Sequence, residues 1–535
     1  MPDTHSGTSH VSVLVVGGSL SGLSSALFLA AHGVDCLLVE QHPGTSVHPR
    51  ARLVTARSME LFRSVGLEQQ VREAGDPGPI GFVVVDTLSD EHYQPTGDHQ
   101  DETLAISPTG MRLCDQQLLE PLLLDRAREL GADIRFGTAL TGFDQDADGV
   151  TATVRDKDTG ETRTVRCAYL LAADGIRSPV RERLGIGRHG PGAMGRSVSA
   201  IFDADLSPVL RGRRAMAVIV KRAGAFLFAR GTSDSRLWQL GFPYDEADDS
   251  PVALRERTRR LARIAADLPD LDVEVHSAMA WESAALVTDR FREGRVFLVG
   301  DSAHAMPPAG GFGGNTGIQD AHNIAWKLAA VLREGADERL LDSYDSERRP
   351  VADFTMEQTL ARMRQDPKAV DRATVQLGYC YPGPAEGPGT PPGIAEDPFR
   401  PSARPGTRAP HVVLRRGGVP LSTLDLFGEG FTLLTGPGGG EWITAAAKVT
   451  AADPRVSLAA HRIGYAGLQD PHKAFPDAYR MEADGAVLVR PDGFIGWRAK
   501  EAGPDAAGRL AEALARHRGP RTPSGPAGAT HLPTA

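Results

Sequence analysis

Val11 to Val16 (V-S-V-L-V-V) is a short apolar run of strand length, rich in β-branched residues, and it stops at Gly17-Gly18. From Leu20 to Ala31 apolar and small residues recur at helical spacing, and Val34 to Val39 is a second strand-length run ending at Glu40. Further on, the pattern predicts a helix over Leu118 to Leu130, strands over Asp133 to Phe143 and Val150 to Arg155, and a strand over Tyr169 to Ala173. Short alternating runs then recur at Ser197 to Phe202, Ala215 to Lys221, Ala225 to Ala229 and Leu237 to Phe242. They predict an antiparallel sheet with one buried face. Gly81 to Val85 is strand-like, and Arg255 to Leu268 is an amphipathic helix. Val296 to Val299 is a buried strand, followed by Gly300-Asp301, a Pro/Gly loop and a helix from Thr316 to Leu332. Asp366 to Pro410 is rich in Pro and Gly and predicts a linker. Phe431 to Thr435 is another strand, and Val487 to Arg490 with Ile495 to Arg498 form a hairpin around Pro491-Asp492-Gly493.

A chain of 535 residues predicts two or three domains. Its net charge of −9 argues against nucleic acid or an anionic membrane as partner. Cys36, Cys114, Cys167 and Cys380 are scattered, with no C-x-x-C, which argues against a cysteine zinc site or a dithiol pair and fits a reducing cytoplasm. No metal ligand set is expected. Val11 to Ala31 has no charge and could pass for a signal sequence or a membrane span. It lacks a preceding Lys or Arg and is broken by G-G-S-L-S-G, so a dinucleotide turn explains it better.

Strand, glycine turn, helix, second strand and then an acid about twenty residues on is the mechanical pattern of a dinucleotide-binding βαβ unit. Gly17 permits the tight turn, and Gly22 lets the helix pack close to the sheet. The helix N-terminus at Ser19, Leu20 and Ser21 would carry the pyrophosphate, and Glu40, next to Gln41, would accept from a ribose hydroxyl. Ser19 stands where the second glycine belongs; it is small, and its hydroxyl could donate to phosphate.

Three motifs occur in order: the turn at Gly17, Ala173-Asp174-Gly175-Ile176-Arg177-Ser178, and Gly300-Asp301-Ser302-Ala303-His304 with Pro307-Pro308. Further stretches are His48-Pro49-Arg50-Ala51, Ser58-Met59-Glu60-Leu61-Phe62-Arg63, Gln116-x-x-Leu119-Glu120-Pro121, Asn315 to Ala321, and Tyr344-x-x-Glu347-Arg348-Arg349-Pro350. Together they resemble the single-component flavin-dependent aromatic hydroxylases, the para-hydroxybenzoate and phenol hydroxylase family. The likeness is greatest to hydroxylases of aromatic polyketides such as the aklavinone and angucycline hydroxylases. It covers roughly residues 10 to 360 strongly and 400 to 500 weakly.

The resemblance implies a Rossmann-type FAD-binding domain (1–75, 105–188, 286–365), an antiparallel-sheet substrate domain (76–104, 189–285), a linker (366–410), a thioredoxin-like domain (411–518) and a disordered tail (519–535). It implies FAD with NADPH (or NADH) as reductant, and no second nucleotide domain. Gln116 and Arg50 would line the flavin side, Asp301 would hold the ribityl chain or ribose, and Pro308, Gly311, Gly313, Gly314 and Asn315 would face the flavin ring. Asp174 would serve FAD and NADPH, with Arg177 a candidate for the nicotinamide cofactor's phosphate. His304 is expected to be structural. Arg181 and Arg183 fit a solvated helix face as well as a cofactor grip.

The implied activity is hydroxylation of a polycyclic aromatic phenol or quinone with O2, through a flavin hydroperoxide, in antibiotic or secondary-metabolite biosynthesis. Arg50, Arg52 and Arg57 are candidates to steady the phenolate or flavin. Met216, Phe226, Phe228, Trp238 and Phe242 are candidates to stack on the substrate, each also fitting the sheet's own core. The alternatives are Baeyer–Villiger or ring-cleaving oxygenation of the same substrates, and a flavin-binding interaction protein without turnover. A monomer or homodimer is expected.

Overall fold

The computed structural model describes residues 8–47, 50–76, 81–93, 101–213, 215–229, 236–244, 250–382, 393–465 and 467–519. His48, Pro49, residues 383–392 of the predicted linker and residues 520–535 of the predicted tail lie outside the described residues.

The central layer is a sheet whose parallel core runs Val296–Leu298, Thr162–Ala172, Ser9–Val16, Cys36–Glu40, Asp133–Phe136. Its strands are nearly continuous apolar runs because helices cover both faces. Helix Leu20–Ala31 packs against helix Gly313–Glu334, with the Phe28 and His322 rings edge to face at 4.8 Å. The second helix begins three residues earlier than its apolar period predicts, because Gly313, Gly314 and Asn315 already form its first turn. Thr138–Gln145 and Val150–Asp156 extend the sheet in antiparallel fashion from Thr162–Ala172.

The second sheet has seven strands, in the order His304–Ala305, Glu274–Thr288, Arg188–Asp203, Leu237–Pro243, Ala225–Ala229, Ala217–Val220, Phe82–Val85. It is antiparallel as the alternation predicts, except for the parallel pairing of Phe82–Val85 with Ala217–Val220. The long strand Glu274–Thr288 escapes sequence reading because its middle (S-A-M-A-W-E-S-A-A) does not alternate cleanly. Helix Pro251–Ala266 buries one face, against Val83, Val218, Leu227, Leu240 and Phe242.

At the root of this sheet, His189 bonds Asp353 (2.8 Å) and Asp289 (3.1 Å). Its pKa is raised, chiefly by the Asp353 hydrogen bond, with Asp289 adding to it. A raised pKa means the stabilisation is complete below the unfolded value near about 6.5 and is lost as pH rises through the folded value. The thermal midpoint gap between wild type and His189→Gln is therefore expected to be larger near about pH 6 than near about pH 9. A gap independent of pH would contradict this.

The C-terminal unit is a four-stranded sheet ordered Leu458–Arg462, Phe431–Thr435, Ala486–Val489, Ile495–Ala499. The first pair is parallel and the others antiparallel. With helices Gly440–Ala452 and Ala506–Arg518 it has the thioredoxin-like arrangement. The linker reading of 366–410 fails in its first part. Asp371 caps helix Arg372–Leu377, and Tyr379 and Tyr381 are buried, Tyr381 stacked on Phe494 at 4.1 Å. Composition misleads here because the Gly and Pro cluster in 383–393, between packed stretches, for Ala403, Thr407, Arg408 and Ala409 are buried as well. All four cysteines are free and buried.

Candidate active site

Gly17 has φ +106°, and a Cβ there would lie 2.3 Å from Ala173 O. A Cβ on Gly22 would lie 1.8 Å from Gly17 O. Only glycine fits at either position. Gly18 N–H donates to Glu40 Oε2 at 2.6 Å, and Glu40 Oε1 accepts from His42 N–H at 2.8 Å. Gln41 beside it is exposed.

Helix Leu20–Ala31 has no side-chain cap and no acid in its first turn. Its ladder starts with Leu23 N–H to Ser19 O at 2.8 Å, which leaves the Leu20, Ser21 and Gly22 N–H groups ahead of it. Helix Gly313–Glu334 repeats this: no side-chain cap, no first-turn acid, and a ladder starting with Thr316 N–H to Phe312 O at 2.8 Å. The two ends meet. A Cβ on Gly314 would touch Leu20 Cδ1 at 3.2 Å, and Ser21 Oγ fills the space that a Cβ on Gly300 (2.1 Å) or Gly317 (2.2 Å) would need. Two positive helix ends in contact form a site for a doubly charged anion, each worth about 0.3–1 kcal/mol for a nearby charge.

Ser19 Oγ donates to Glu120 Oε1 (2.9 Å) instead of standing free for phosphate. Gln116 Nε2 also reaches Glu120 Oε1 (2.7 Å) and Ser19 Oγ (3.1 Å), while its Oε1 accepts from Ala51 N–H at 3.2 Å. Glu120 is thus a site residue that sequence reading missed. The signal was its i+4 spacing from Gln116 on one helix face. Asn315 spends its side chain as a clasp: Oδ1 accepts from Thr55 N–H (2.9 Å), and Nδ2 donates to Leu53 O (2.7 Å) and Gly311 O (2.8 Å). Only its backbone N–H faces the helix end.

Asp301 is exposed, but protein crowds it closely enough that desolvation raises its carboxyl, an effect that His304 and Arg50 oppose. Asp174 is likewise raised by burial, partly offset by Ser178 and Val180 N–H, and its Oδ1 is buried with no partner among the described residues. Gly311 has φ +70° and abuts Leu53, and Pro308 is exposed beside it. Arg372 Nη1 donates to Gly310 O at 3.1 Å, so the segment read as linker holds this loop.

His304 bears out its structural reading. Its Nε2 bonds Asp320 Oδ2 at 2.6 Å, and Asp320 also accepts from Arg348 Nε (2.7 Å) and Gly300 N–H (3.2 Å), all three side chains being buried. Of the three arginines proposed near substrate, Arg50 is exposed near Asp301, and Arg52 lies 3.8 Å from Asp115. Arg57 is a correction. It is buried against Glu60 (2.9 Å) and Asp492 O (2.7 Å), so its charge is spent at the junction with the C-terminal unit. Arg181 is neither solvated nor available as a grip; it is buried, donating to Ile176 O at 2.9 Å. Arg177 is exposed, and Arg183 pairs with Asp144 at 2.8 Å.

The five aromatic and Met candidates divide between the two faces of the seven-stranded sheet. Phe242 and Trp238 alternate with Leu240 on the helix-covered side. Phe242 is 2% exposed, and Trp238 packs against that core and donates its indole N–H to Ala204 O at 3.1 Å. They are core and not pocket. Phe226 and Phe228 take the opposite parity. The register aligns Val84, Ile219, Phe226, Gly241, Ser199 and Met279 in one row across six strands of that uncovered face. Val84 (43%), Phe226 (45%), Met279 (41%) and Trp281 (39%) are exposed there. Trp281 and Met279 went unread with their strand. Met216 is half-buried just ahead of Ala217–Val220.

The residues fit FAD: glycine cradles that any Cβ would fill, an uncapped helix end at Leu20–Gly22 for a pyrophosphate with a second at Gly313–Asn315 beside it, Glu40 at a strand end, and the orphaned Asp174 Oδ1. Such a site defines a flavoprotein. Residues 10–359 match the family model for the FAD binding domain, and residues 402–520 match that of the aromatic-ring hydroxylase C-terminal domain. The chain belongs to this FAD-binding aromatic-ring hydroxylase family. It is 43% identical to tetracenomycin A2 monooxygenase-dioxygenase of Streptomyces glaucescens, over 95% of this chain and 97% of that one. It is 40% identical to 4-methyl-5-nitrocatechol 5-monooxygenase of a Burkholderia species, over 94% and 97%. The crystal structure of aklavinone-11 hydroxylase with FAD and aklavinone superposes with a TM-score of 0.87 at 38% identity, covering 97% of this chain and 100% of that one. Among the described residues no helix is long and apolar enough to cross a membrane.

Proposed function

We propose that the chain hydroxylates a polycyclic aromatic phenol or quinone of polyketide type, using NADPH or NADH and O2. The observation that carries this reading is the face of the seven-stranded sheet on which, among the described residues, Val84, Phe226, Met279 and Trp281 leave apolar side chains exposed. The sheet is bolted to the flavin segment: Leu286 and Val287 pair with Ala305 and His304, three residues past Asp301. The same sheet, with residues 76–104 and 189–285, is the substrate unit in this reading, and residues 1–75, 105–188 and 286–365 are the flavin unit.

Bound FAD supplies the reduction of dioxygen and the delivery of one oxygen atom to the ring. The chain's own residues do the rest. The N–H groups at Leu20–Gly22 and Gly313–Asn315 neutralise anionic oxygens, and Glu40 and Asp174 take sugar hydroxyls. Asp301, its carboxyl raised by crowding, sits where it can exchange a hydrogen bond with a polyol chain. Phe226, Met279 and Trp281 exclude water and orient the ring. Arg50, the exposed arginine of the three, is the candidate cation for a phenolate, and Arg177 is the candidate for a nucleotide phosphate.

Phe226→Ala is expected to raise the KM for a polycyclic phenol about tenfold with the thermal midpoint nearly unchanged, because a half-exposed ring contributes little to the core. Phe242→Ala is expected to cost about 3–5 kcal/mol of stability through a core cavity. Steady-state kinetics and thermal unfolding of the two variants separate the faces; equal effects on both readouts would refute the assignment. Sequential testing of polycyclic phenols for stimulated NADPH oxidation, with product masses, tests the reaction itself.

A further inference from the structure

The hairpin turn Arg490-Pro491-Asp492 belongs to the C-terminal unit, which has no dithiol to work with, yet it makes a dense buried ionic contact with the flavin unit. Asp492 Oδ2 accepts from Trp326 Nε1 (3.2 Å) and Asn323 Nδ2 (3.4 Å), both on the helix that begins at Gly313. Its carbonyl accepts from Arg57 Nη2 at 2.7 Å, on helix Ala56–Ser64. Arg490 binds Glu347 through Nη1 (2.6 Å) and Nη2 (2.8 Å) and Asp492 through Nη2 (2.5 Å), and Lys327 completes the cluster on Glu347 at 2.7 Å. None of the four side chains exceeds 6% exposure.

The two helices that Asp492 grips are the two that Asn315 clasps. Thr55, whose N–H donates to Asn315 Oδ1, is the N-cap residue of helix Ala56–Ser64. Asn323 and Trp326 follow Asn315 by eight and eleven residues, roughly 12 and 16 Å along the same helix. One residue therefore holds the middle of one helix and the first turn of the other, the two elements whose N-terminal ends shape the flavin loop. We propose that Asp492, held by Arg490, is a positioning residue for the flavin site: the C-terminal unit sets the placement of the helix end at Gly313–Asn315 against Leu53–Thr55. The inference rests on the flavin reading of that site. A buried ion cluster is a poor source of net stability compared with apolar packing, and its best-attested use is to fix one geometry.

The test is FAD binding by apoprotein, titrated by quenching of flavin fluorescence, together with thermal midpoints of the apo and FAD-bound forms. Asp492→Asn keeps the shape and removes the charge that holds Arg490. The expected result is an FAD dissociation constant raised about tenfold, as for other supporting residues, with an altered flavin absorption band and a smaller gap between apo and FAD-bound midpoints. An unchanged dissociation constant and spectrum, with both midpoints falling in parallel, would overturn the proposal and leave a plain brace. Should Asp492→Asn not fold, Trp326→Phe removes the indole N–H together with the pyrrole part of the ring; FAD binding weakened while the apo midpoint stays near wild type supports the proposal, and unchanged binding overturns it. Wild-type protein that takes up no FAD would instead refute the flavin site itself.

Discussion

Gly22→Ala is expected to abolish FAD retention. The new Cβ would sit 1.8 Å from Gly17 O, far inside contact distance, and Gly17 cannot retreat. It is pinned by its N–H to Val39 O at 2.9 Å, and Ala173 lies close behind it. The helix must therefore move away from the turn, and the N–H groups of Leu20, Ser21 and Gly22 move with it. Each charge-assisted bond to an anionic oxygen is worth about 1.5–3 kcal/mol, so misplacing two of them weakens binding at least about a hundredfold. Gly142→Ala is the control: nothing lies within 4 Å of its Cβ position, and binding should not change. The ratio of flavin to protein absorbance after purification reads the outcome, and circular dichroism shows whether the fold survives. A yellow Gly22→Ala protein with wild-type flavin content would contradict the account of the turn.

Asp320→Ala is expected to cost about 3–5 kcal/mol and to lower the thermal midpoint by roughly 10 °C. The change leaves Arg348 buried without its 2.7 Å partner and frees both His304 and Gly300 N–H. Burial alone would raise the Asp320 carboxyl, but Arg348 and His304 outweigh it and hold it below the ordinary carboxylate range. A depressed carboxylate contributes its stability above the unfolded value near about 3.9, and loses it as pH falls through the folded value. The difference between wild type and variant should therefore persist at neutral pH and shrink only in strong acid. A variant with a wild-type midpoint at neutral pH would show that the His304–Asp320–Arg348 chain does not hold the Gly300–Asp301 turn.

The parts legible in the sequence are those where one residue type is sterically required. Gly17, Gly22, Gly300 and Gly317 have no room for a side chain, and their spacing reports the contact between two distant motifs. Glu40 was legible because the βαβ geometry delivers a strand end at that distance. Side-chain roles were less legible. The pattern marks Asn315 and Ser19 as cofactor contacts, but their side-chain polar atoms are taken up by Leu53, Thr55 and Glu120. Nothing local to either residue announces partners so far away in the chain. Parity along Leu237–Pro243 could have separated Phe242 from Phe226 once their strands were paired, but the register comes only from the fold. Arg372 and the Tyr379–Tyr381 pair lay inside a stretch dismissed for its neighbours' composition.

What the bound flavin does with an aromatic ring decides the function. The most direct measurement incubates FAD-loaded protein with NADPH, isotopically labelled dioxygen and a polycyclic phenol, and weighs the product. The account predicts NADPH consumption stimulated by the phenol and a product carrying one labelled oxygen on an intact carbon skeleton. A labelled lactone or a cleaved ring would contradict hydroxylation, and unstimulated NADPH consumption with unlabelled phenol recovered would contradict the substrate assignment.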